Sequence, residues 1–414
     1  MREYRPCRPR LLLAASTAAL LAGASAAHAQ DGPSFEVYGF AQVDYTQDFD
    51  RVHPKWDDAL RPSKIPTEDG IYGDDGQTSI SVKQSRFGVR GGQEVGGQQL
   101  DFRFEFDLFG VGGDEGQTTF RLRHAYGSWG PILAGQTNSV FMDGDTFPNT
   151  VEYWGPNGMV FLRNPQIRFT HLMGPSQFAV AVEKPGNDID PGNVRQLDPA
   201  IGDNLQGDEK LPDLTAHWRY GGDWGHFQLA GILRRVGYET AGTPDNKPKD
   251  HKTGWGVNAS SNIKTWGKDV AHLSVVYGEG IASYMNDGGT DLGPKIAPGA
   301  PNPLPVPPPP GSLRGDVLPM LGVMLYYDHY WNDTWSSSFG WSMNKVDNTS
   351  FQDGSAYKKG QYASANILYT PAPALLFGAE FLWGQREDFD GAKGEDVRLQ
   401  LTAKYSFSSK DFFN

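Results

Sequence analysis

The sequence of 414 residues predicts an all-β protein, a transmembrane antiparallel β-barrel of about 16 strands. Segments with alternating apolar and polar residues recur about sixteen times, their connections alternate between short and long, and aromatic residues gather near segment ends. The clearest segment is LDFRFEFDLFG, residues 100–110, where period-two alternation indicates an extended strand with one apolar and one polar face. In a membrane-spanning barrel the apolar face meets lipid and the polar face lines water.

The alternating segments follow one another along the chain, and each is expected to form one strand of the barrel. Several carry an aromatic residue near an end, as at Trp218, Trp335, Tyr369 and Tyr405, which is typical of the aromatic girdles at membrane interfaces. The alternation is weakest in 131–141. The segments are 35–45, 80–91, 100–110, 118–129, 131–141, 166–172, 177–183, 213–220, 227–235, 255–263, 271–278, 321–330, 335–344, 361–370, 375–385 and 397–407.

The connections favour a barrel over a secreted soluble β-sandwich with a binding or adhesion role. Short turns on one rim and long loops on the other are typical of outer-membrane barrels, whereas a sandwich has no reason to sort its loops. The proline-rich loop 279–317, with APGAPNPLPVPPPPG, is expected to be a stiff, solvated excursion outside the barrel. The short connections include one near 129–131 and those at 173–176, 221–225, 265–269, 331–334 and 371–373, and the long ones are roughly 48–77, 111–117, 142–164, 184–211, 237–252, 279–317, 346–357 and 387–395.

Residues 1–29 have the pattern of a secretory signal peptide. Four arginines precede an apolar run rich in Ala and Leu, and the small residues before Gln30 predict cleavage after Ala29. An uncleaved membrane anchor is the alternative. Residues 30–414 are then expected to form a single outer-membrane β-barrel domain, without thiol chemistry because the only cysteine, Cys7, is removed.

The charge balance argues against a nucleic-acid partner. The chain has 37 Lys and Arg against 49 Asp and Glu, and loss of four arginines and Glu3 with residues 1–29 leaves 33 against 48, a net charge of −15. No later stretch approaches ~18 consecutive apolar residues, so no membrane-spanning helix is expected. We find no catalytic motif and no cofactor or metal pattern, and therefore expect no enzyme. Calcium binding by the acidic loops 48–77 and 187–193 is an alternative to plain solvation.

Arginines are expected to line one arc of the water-filled lumen. Taking polar parity as inward, the second to sixth strands carry six of them, opposed by Asp101, Glu105 and Asp107. Arginines that reach into a wet pore concentrate anions and offer a planar fork to carboxylates. The alternative is a ladder of mutually neutralising wall charges that only keeps the lumen hydrated. The arginines are Arg86, Arg90, Arg103, Arg121, Arg123 and Arg168.

The connection 142–164 is expected to fold into the lumen as a constriction loop. Its aromatic and apolar residues, which a loop in water would not need, would pack against the wall. Its carboxylates Asp143, Asp145 and Glu152 would oppose Arg163 and Arg168. The aromatic and apolar residues are Phe147, Tyr153, Trp154, Met159 and Phe161.

Four segments, SVKQSRFGVRG, RLRHAYGSWGPILAGQTNSVFMD, PNTVEYWGPNGMVFLRNPQIR and LQLTAKYSF, resemble the DcaP-like porins of Gram-negative outer membranes. The resemblance is dense over 81–171 and 399–407 and loose between them. It implies a sixteen-stranded trimeric porin that passes small organic anions, dicarboxylates among them. Outer-membrane lipid and lipopolysaccharide are then its expected surroundings. It also implies that the third loop and the nearby Arg163 and Arg168 narrow the pore. One departure is that the chain continues past Phe407 with SSKDFFN.

Two further expectations concern assembly and selectivity. Five early positions that parity places outward are small or polar, which suits contact with a neighbouring barrel in a homotrimer. Loop carboxylates are screened over about 8 Å at ~0.15 M salt, so the nearer arginines should dominate and give modest anion selectivity. The alternative is a general, weakly selective porin in which loop carboxylates cancel the arginines. The five positions are Gly39, Ala41, Ser81, Ser85 and His124.

Overall fold

The alternating segments form β-strands in the computed structural model, which describes residues 32–110, 119–306, 308–309 and 311–412. The expected signal peptide with Cys7, and the last two residues, lie outside this range. The described strands are β1 (Ser34–Asp48), β2 (Gln77–Ser81), β3 (Arg86–Val95), β4 (Gln98–Gly110), β5 (Thr119–Trp129), β6 (Ile132–Asn138), β7 (Arg163–Met173), β8 (Ser176–Glu183), β9 (Leu205–Gly207), β10 (Asp213–Gly222), β11 (Gly225–Thr240), β12 (Asp250–Lys264), β13 (Val270–Glu279), β14 (Leu292–Ile296), β15 (Leu313–Val317), β16 (Pro319–Tyr330), β17 (Trp335–Val346), β18 (Tyr357–Ala372), β19 (Leu375–Asp388) and β20 (Lys393–Ser408).

Helical structure in the described residues is confined to short turns in the connections and after β20. None of these helices is long and apolar enough to cross a membrane. The α-helical turns are α1 (Val194–Leu197) and α2 (Pro199–Gly202), and the 3-10 turns are Pro54–Trp56, Pro62–Lys64, Gly144–Thr146, Pro244–Asn246, Ala282–Tyr284 and Ser409–Asp411.

Sixteen strands close into one antiparallel barrel, as the sequence predicts. The wall runs through β1, β3–β8, β10–β13 and β16–β20, each strand paired with the next. Closure occurs at β1, which pairs with β20 (Asp48 opposite Arg398) and on its other edge with β3 (Ser34 opposite Gly92). Because sixteen is even, the wall begins and ends on the same rim, which also holds the short turns.

The faces of β4 confirm the orientation predicted for residues 100–110. Glu105 and Asp107 are each 1% exposed and point to the lumen, whereas Phe104 is 45% exposed on the outer surface. Outward-facing leucines, phenylalanines and tryptophans continue around the wall, as expected for a lipid-facing band.

The segment predicted as one strand over 80–91 is interrupted between β2 and β3. Ser85 Oγ accepts the Gln42 N–H at 3.0 Å and donates to the Gln42 carbonyl at 3.1 Å. The hydroxyl thus replaces the main-chain partner that a continuous strand would supply. Ser85 therefore serves the wall itself, and the prediction that it offers an outer contact face was wrong.

A β-bulge in β5 overturns a second predicted orientation. Glu105 pairs with His124 while Phe106 pairs with Leu122, so Arg123 is the extra residue and both it and His124 face the lumen. His124 is 4% exposed and its Nδ1 lies 3.0 Å from Thr137 Oγ1. On the outer side, the Gln136 amide donates to the Leu122 carbonyl at 3.1 Å.

Two more of the five residues predicted for an outer contact face differ from expectation. Ser81 pairs with the inward Asp44 and donates to Asp58 at 3.1 Å, so its side chain faces inward. Gly39 is buried; a Cβ there would lie 2.2 Å from the Arg86 carbonyl oxygen and 2.9 Å from the Phe407 ring. Ala41 alone is both outward and exposed.

Long connections lie at the rim opposite the short turns, but they are shorter than predicted where strands extend. The last one, predicted as 387–395, spans only 389–392 because β19 and β20 continue pairing to Glu387 and Lys393. Three long connections matter below: loop 1 (49–76), loop 3 (139–162) and loop 6 (280–318).

Candidate functional site

Loop 3 crosses the lumen and is fastened to the far wall. Glu380 Oε2, on β19, accepts the Val151 and Glu152 N–H groups at 2.8 and 2.6 Å. Further along the loop, the Gly158 N–H donates to Ser342 Oγ of β17 at 2.7 Å. The loop therefore divides the interior, as predicted for residues 142–164.

Glu152 stabilises the loop from within. Its two carboxylate oxygens accept the N–H of Leu60 at 3.0 Å and of Gly155 at 2.5 Å. Burial raises the pKa of Glu152 to about 7, although these N–H groups oppose the rise by favouring the charged form. Glu152 thus bonds to main chain, and the expectation that it opposes Arg163 and Arg168 was wrong.

Asp143 and Asp145 are likewise paired elsewhere than predicted. Asp143 lies 2.7 Å from His226 Nε2 and 2.7 Å from Ser260 Oγ, and Arg219 reaches both Asp143 and Asp145. Burial works against ionisation, yet the His226 hydrogen bond keeps the pKa of Asp143 below its usual value. These two carboxylates anchor the start of loop 3 to β10, β11 and β12.

The apolar residues of loop 3 pack inside the barrel, and parts of loops 1 and 6 join them. Met159 lies in a buried cluster with Leu60 and Ile65 of loop 1 and Met324 and Tyr362 of the wall. A second cluster joins loop 3 to β11, β13 and β16 and to the buried residues Ile281, Ala282, Tyr284 and Met285 of loop 6.

Loop 6 was predicted to be wholly external, and for its first part this was wrong. Apolar residues from Ile281 onward are buried, and Arg234 of β11 holds the segment by an ion pair with Asp291 at 3.4 Å. The proline-rich stretch lies farther along, between β14 and β15. Arginine pairing and apolar burial, rather than loop length, decide which part enters the lumen.

The arginine arc faces these loops, and most of its members share two carboxylates. Glu105 lies within ion-pair distance of Arg86 (3.6 Å), Arg103 and Arg123 (2.7 Å). Asp107 is bound by Arg121 at 2.7 Å and by Arg123 at 3.0 Å. Four arginines therefore surround two carboxylates, and this part of the wall is net positive.

The remaining three predicted arginines differ from one another. Arg90 pairs with Glu36 at 2.9 Å, so its charge is matched. Arg163 and Arg168 make no ion pair with any described residue. Arg163 lies 5.0 Å from the Phe161 ring, and Arg168 donates to Gln166 Oε1 at 2.9 Å and to the Asn138 carbonyl. Of the predicted set, these two carry the least compensated charge.

Tyr153 and Trp154 place the tip of loop 3 against this arc. The Tyr153 hydroxyl donates to Asp107 at 2.8 Å, accepts from Arg123 at 2.9 Å and also contacts Arg121. Its ring stacks on Phe109 with centroids 3.9 Å apart. A cavity of about 320 Å³ opens beside the tip, lined among others by Arg61, Arg121, Arg163 and Trp154.

Arg61 and Asp287, which line this cavity, were not singled out from the sequence. The Arg61 guanidinium contacts the rings of both Trp56 and Trp154, 4.4 and 4.2 Å from their centroids, and binds Asp287 at 2.8 Å. No local pattern indicated that loops 1 and 6 would meet loop 3. The only signal was the tryptophan and the apolar residues in an otherwise acidic loop 1. In the described residues, no group of three or more His, Asp or Glu is placed to hold a metal ion.

Comparisons with known proteins agree with this architecture. The sequence profile of the DcaP outer membrane protein family matches residues 23–287. The fold is similar to the crystal structure of the outer membrane channel DcaP of Acinetobacter baumannii, with a TM-score of 0.74 and 24% identity over 92% of this chain and 99% of that chain. It is also similar to OmpT, an outer membrane protein of Vibrio cholerae, in its in-vitro folded trimer form, with a TM-score of 0.53 and 11% identity over 91% of this chain and 100% of that one. No curated protein sequence matches.

Proposed function

Because the chain belongs to the DcaP outer membrane protein family, we propose that it is an outer-membrane porin that favours small organic anions such as dicarboxylates. The short-turn rim would face the periplasm and the long loops the exterior. Diffusion through it would be passive. Residues 1–29 would be removed as a signal peptide, leaving 30–414 as the barrel domain.

The observation that carries this proposal is the cavity between the tip of loop 3 and the arginine arc. Arg61, Arg121 and Arg163 converge there, against the carboxylates Asp188 and Asp287. Loops 1, 3 and 6 fill the opposite side of the lumen with buried apolar clusters. A permeating solute would therefore pass along the arginine arc rather than through the middle of the barrel.

Electrostatics at short range favours anions at this place. A pair of unit charges 4 Å apart is worth about 4 kcal/mol at an effective dielectric constant of 20, before desolvation costs. Carboxylates farther from the cavity than the screening length of about 8 Å at ~0.15 M salt add little to the potential there. Two carboxylate oxygens also match the planar fork of a guanidinium group, which favours carboxylates over simple anions.

The second candidate is a general, weakly selective porin. The ladder of ion pairs around Glu105 and Asp107 favours it, because these pairs neutralise part of the arc. The carboxylates of loop 3 do not favour it, because they bind Arg219, His226 and main-chain N–H groups and so do not neutralise the arc. These carboxylates are Asp143, Asp145 and Glu152. The two candidates differ in the charge that the permeating ion meets.

We further propose a homotrimer embedded in outer-membrane lipid and lipopolysaccharide. OmpT of Vibrio cholerae is recorded in a trimer form, and this chain shares its fold. Ala41 is the residue of the predicted contact face that remains outward and exposed. A small side chain there would allow close approach of a neighbouring barrel.

The function is tested by reconstituting the purified mature protein in planar lipid bilayers. Stable conductance steps and a reversal potential of anion sign under a KCl gradient are expected. Conductance equal to that of bare lipid would remove the porin proposal altogether. Channels whose reversal potential is cation-selective or neutral would agree with the porin proposal but contradict the anion preference.

A further inference from the structure

The carboxylate of Asp287, in loop 6, occupies a binding site built by loop 1. Arg61 Nε and Nη2 each lie 2.8 Å from Oδ1. Ser63 adds its backbone N–H, 2.8 Å from Oδ2, and its hydroxyl, 2.6 Å from Oδ1. Four donors thus converge on one carboxylate that belongs to the protein itself.

The site is preorganised by aromatic contacts. Arg61 packs against Trp56 of loop 1 and Trp154 of loop 3, whose rings meet edge to face with centroids 5.1 Å apart. Trp154 is fixed in turn, because its Nε1 donates to the Asn286 carbonyl at 2.7 Å. A guanidinium held against two aromatic rings loses little freedom when it binds a carboxylate.

The conformation of the backbone after Asp287 positions this side chain against Arg61. Gly288 and Gly289 have φ values of +77° and +78°, a conformation that other residues rarely adopt. A Cβ on Gly288 would lie 2.4 Å from the Tyr357 ring. The paired glycines allow the turn that brings Asp287 to Arg61, so displacement of the carboxylate requires only rotation of the Asp287 side chain.

The occupied site borders the arginine cavity, with the Arg61 side chain 16% exposed and the Asp287 side chain buried. Asp287 and Arg61 line that cavity together with Arg121 and Arg163. Removal of Asp287 without replacement would bury an unpaired guanidinium, which is strongly unfavourable. Exchange for another carboxylate would keep the ion pair and the hydrogen bonds.

We infer that Asp287 acts as an internal competitor for permeating carboxylates at a subsite formed by Arg61 and Ser63. This inference rests on the proposed function and adds a residue that sets its selectivity. A solute carboxylate displaces Asp287, and a second carboxylate on the same molecule binds Arg121 or Arg163. The two attachments act together through effective concentration, so a dicarboxylate competes better than a monocarboxylate.

The test compares succinate binding to reconstituted channels of the wild type, Asp287→Asn and Asp188→Asn, by analysis of succinate-dependent current noise. The asparagine at 287 keeps the size of the side chain and removes the competing charge. Asp188→Asn is the matched control, because it lines the same cavity and removes one charge, while the Arg61–Asp287 pair stays intact. Apparent affinity scales with the fraction of time that a site is free, so Asp287→Asn should raise succinate affinity by about tenfold and Asp188→Asn by far less.

Three results would overturn the inference. They are unchanged succinate affinity in Asp287→Asn, equal gains in both variants, and a gain for propionate as large as that for succinate. Absence of channels in the wild type would instead remove the proposed function. Should the variants not fold, a cryo-EM structure of the wild type with succinate decides: a succinate carboxylate at Arg61 and Ser63 with Asp287 displaced is expected, and succinate bound elsewhere with Asp287 in place contradicts the inference.

Discussion

Tyr153, at the tip of loop 3, donates its hydroxyl to Asp107 of β4 at a distance of 2.8 Å. The two residues before it, Val151 and Glu152, donate their N–H groups to Glu380 of β19. The middle of loop 3 therefore forms a bridge between the arginine arc and β19.

Removal of the Tyr153 hydroxyl should free the tip of loop 3. Tyr153→Phe keeps the stack on Phe109 and loses a hydrogen bond to a charged group, a contribution of about 1.5–3 kcal/mol. We expect larger open-channel noise in single-channel recordings, with the barrel still folded. Tyr45→Phe, on the outer wall, is the matched control. Equal noise in both variants would mean that the bridge does not restrain the loop.

Reversal of an uncompensated arginine should reduce anion preference. Arg163→Glu and Arg168→Glu change the charge by two units at positions without a described ion pair, and each should move the reversal potential toward cations. A change of about 1.4 kcal/mol in the free-energy difference between anion and cation permeation alters the permeability ratio tenfold. A charge effect that is strongly screened by salt is therefore still measurable. Lys295→Glu, an exposed residue of β14 paired with Asp316, makes the same charge change outside the lumen. An equally large shift of the reversal potential in Lys295→Glu would mean that the overall charge of the protein, and not the charge in the lumen, sets the selectivity.

Loop 3 should become less firmly held as pH rises toward neutrality. Burial raises the pKa of Glu152 from 4.5 to about 7, so the folded loop binds this proton more tightly than the unfolded chain does. The contribution of Glu152 to the free energy of unfolding is therefore largest below about pH 4.5, and it falls as the pH rises from there to about 7. Channel closures and noise should increase over this interval. Glu152→Gln, which cannot ionise, should reduce that dependence, and a pH response unchanged in this variant would place the titration elsewhere.

The homotrimer can be tested with a bulky apolar residue on the outer wall. Ala41→Trp should convert an SDS-resistant oligomer to monomer if β1 faces a neighbour, because the indole prevents close approach. Ala365→Trp makes the same change at an exposed position of β18 and should leave the oligomer intact. Retention of the oligomer in both variants would exclude this interface. Gly39 is unsuitable because any Cβ collides with the wall.

The sequence predicts the wall well because its information is local. In β4 the alternation of polar and apolar side chains predicts which face of the strand meets water, because successive side chains of a strand point to opposite faces. His124 shows the limit of that reasoning. A single extra residue reverses every later side chain, and the bulge at Arg123 depends on pairing with β4 that a strand does not contain.

The interior was predicted only in part because its partners are distant in sequence. The aromatic content of loop 3 indicated that it turns inward, but not that Asp143 would meet His226 and Arg219 rather than Arg163. Loop 1 and loop 6 enter the lumen through a contact between Arg61 and Asp287, 226 residues apart. The charges of two loops gave no indication of their pairing until closure of the barrel brought them together.

The apolar clusters beneath the loops have a consequence for the register of the wall. Inward residues of β11, β13 and β16 include Ile232, Val276, Met320 and Met324, and their outward neighbours are apolar as well. A strand that is apolar on both faces loses the alternation that penalises a one-residue slip. β16 is apolar on both faces from Met320 to Tyr326, whereas β11 and β13 keep inward polar residues such as Gln228 and Ser274. The alignment of β16 with its neighbours therefore depends most on what lies inside. Loops 1, 3 and 6 would therefore help to set the strand register of the wall, and shortening them should impair strand assembly before it impairs transport.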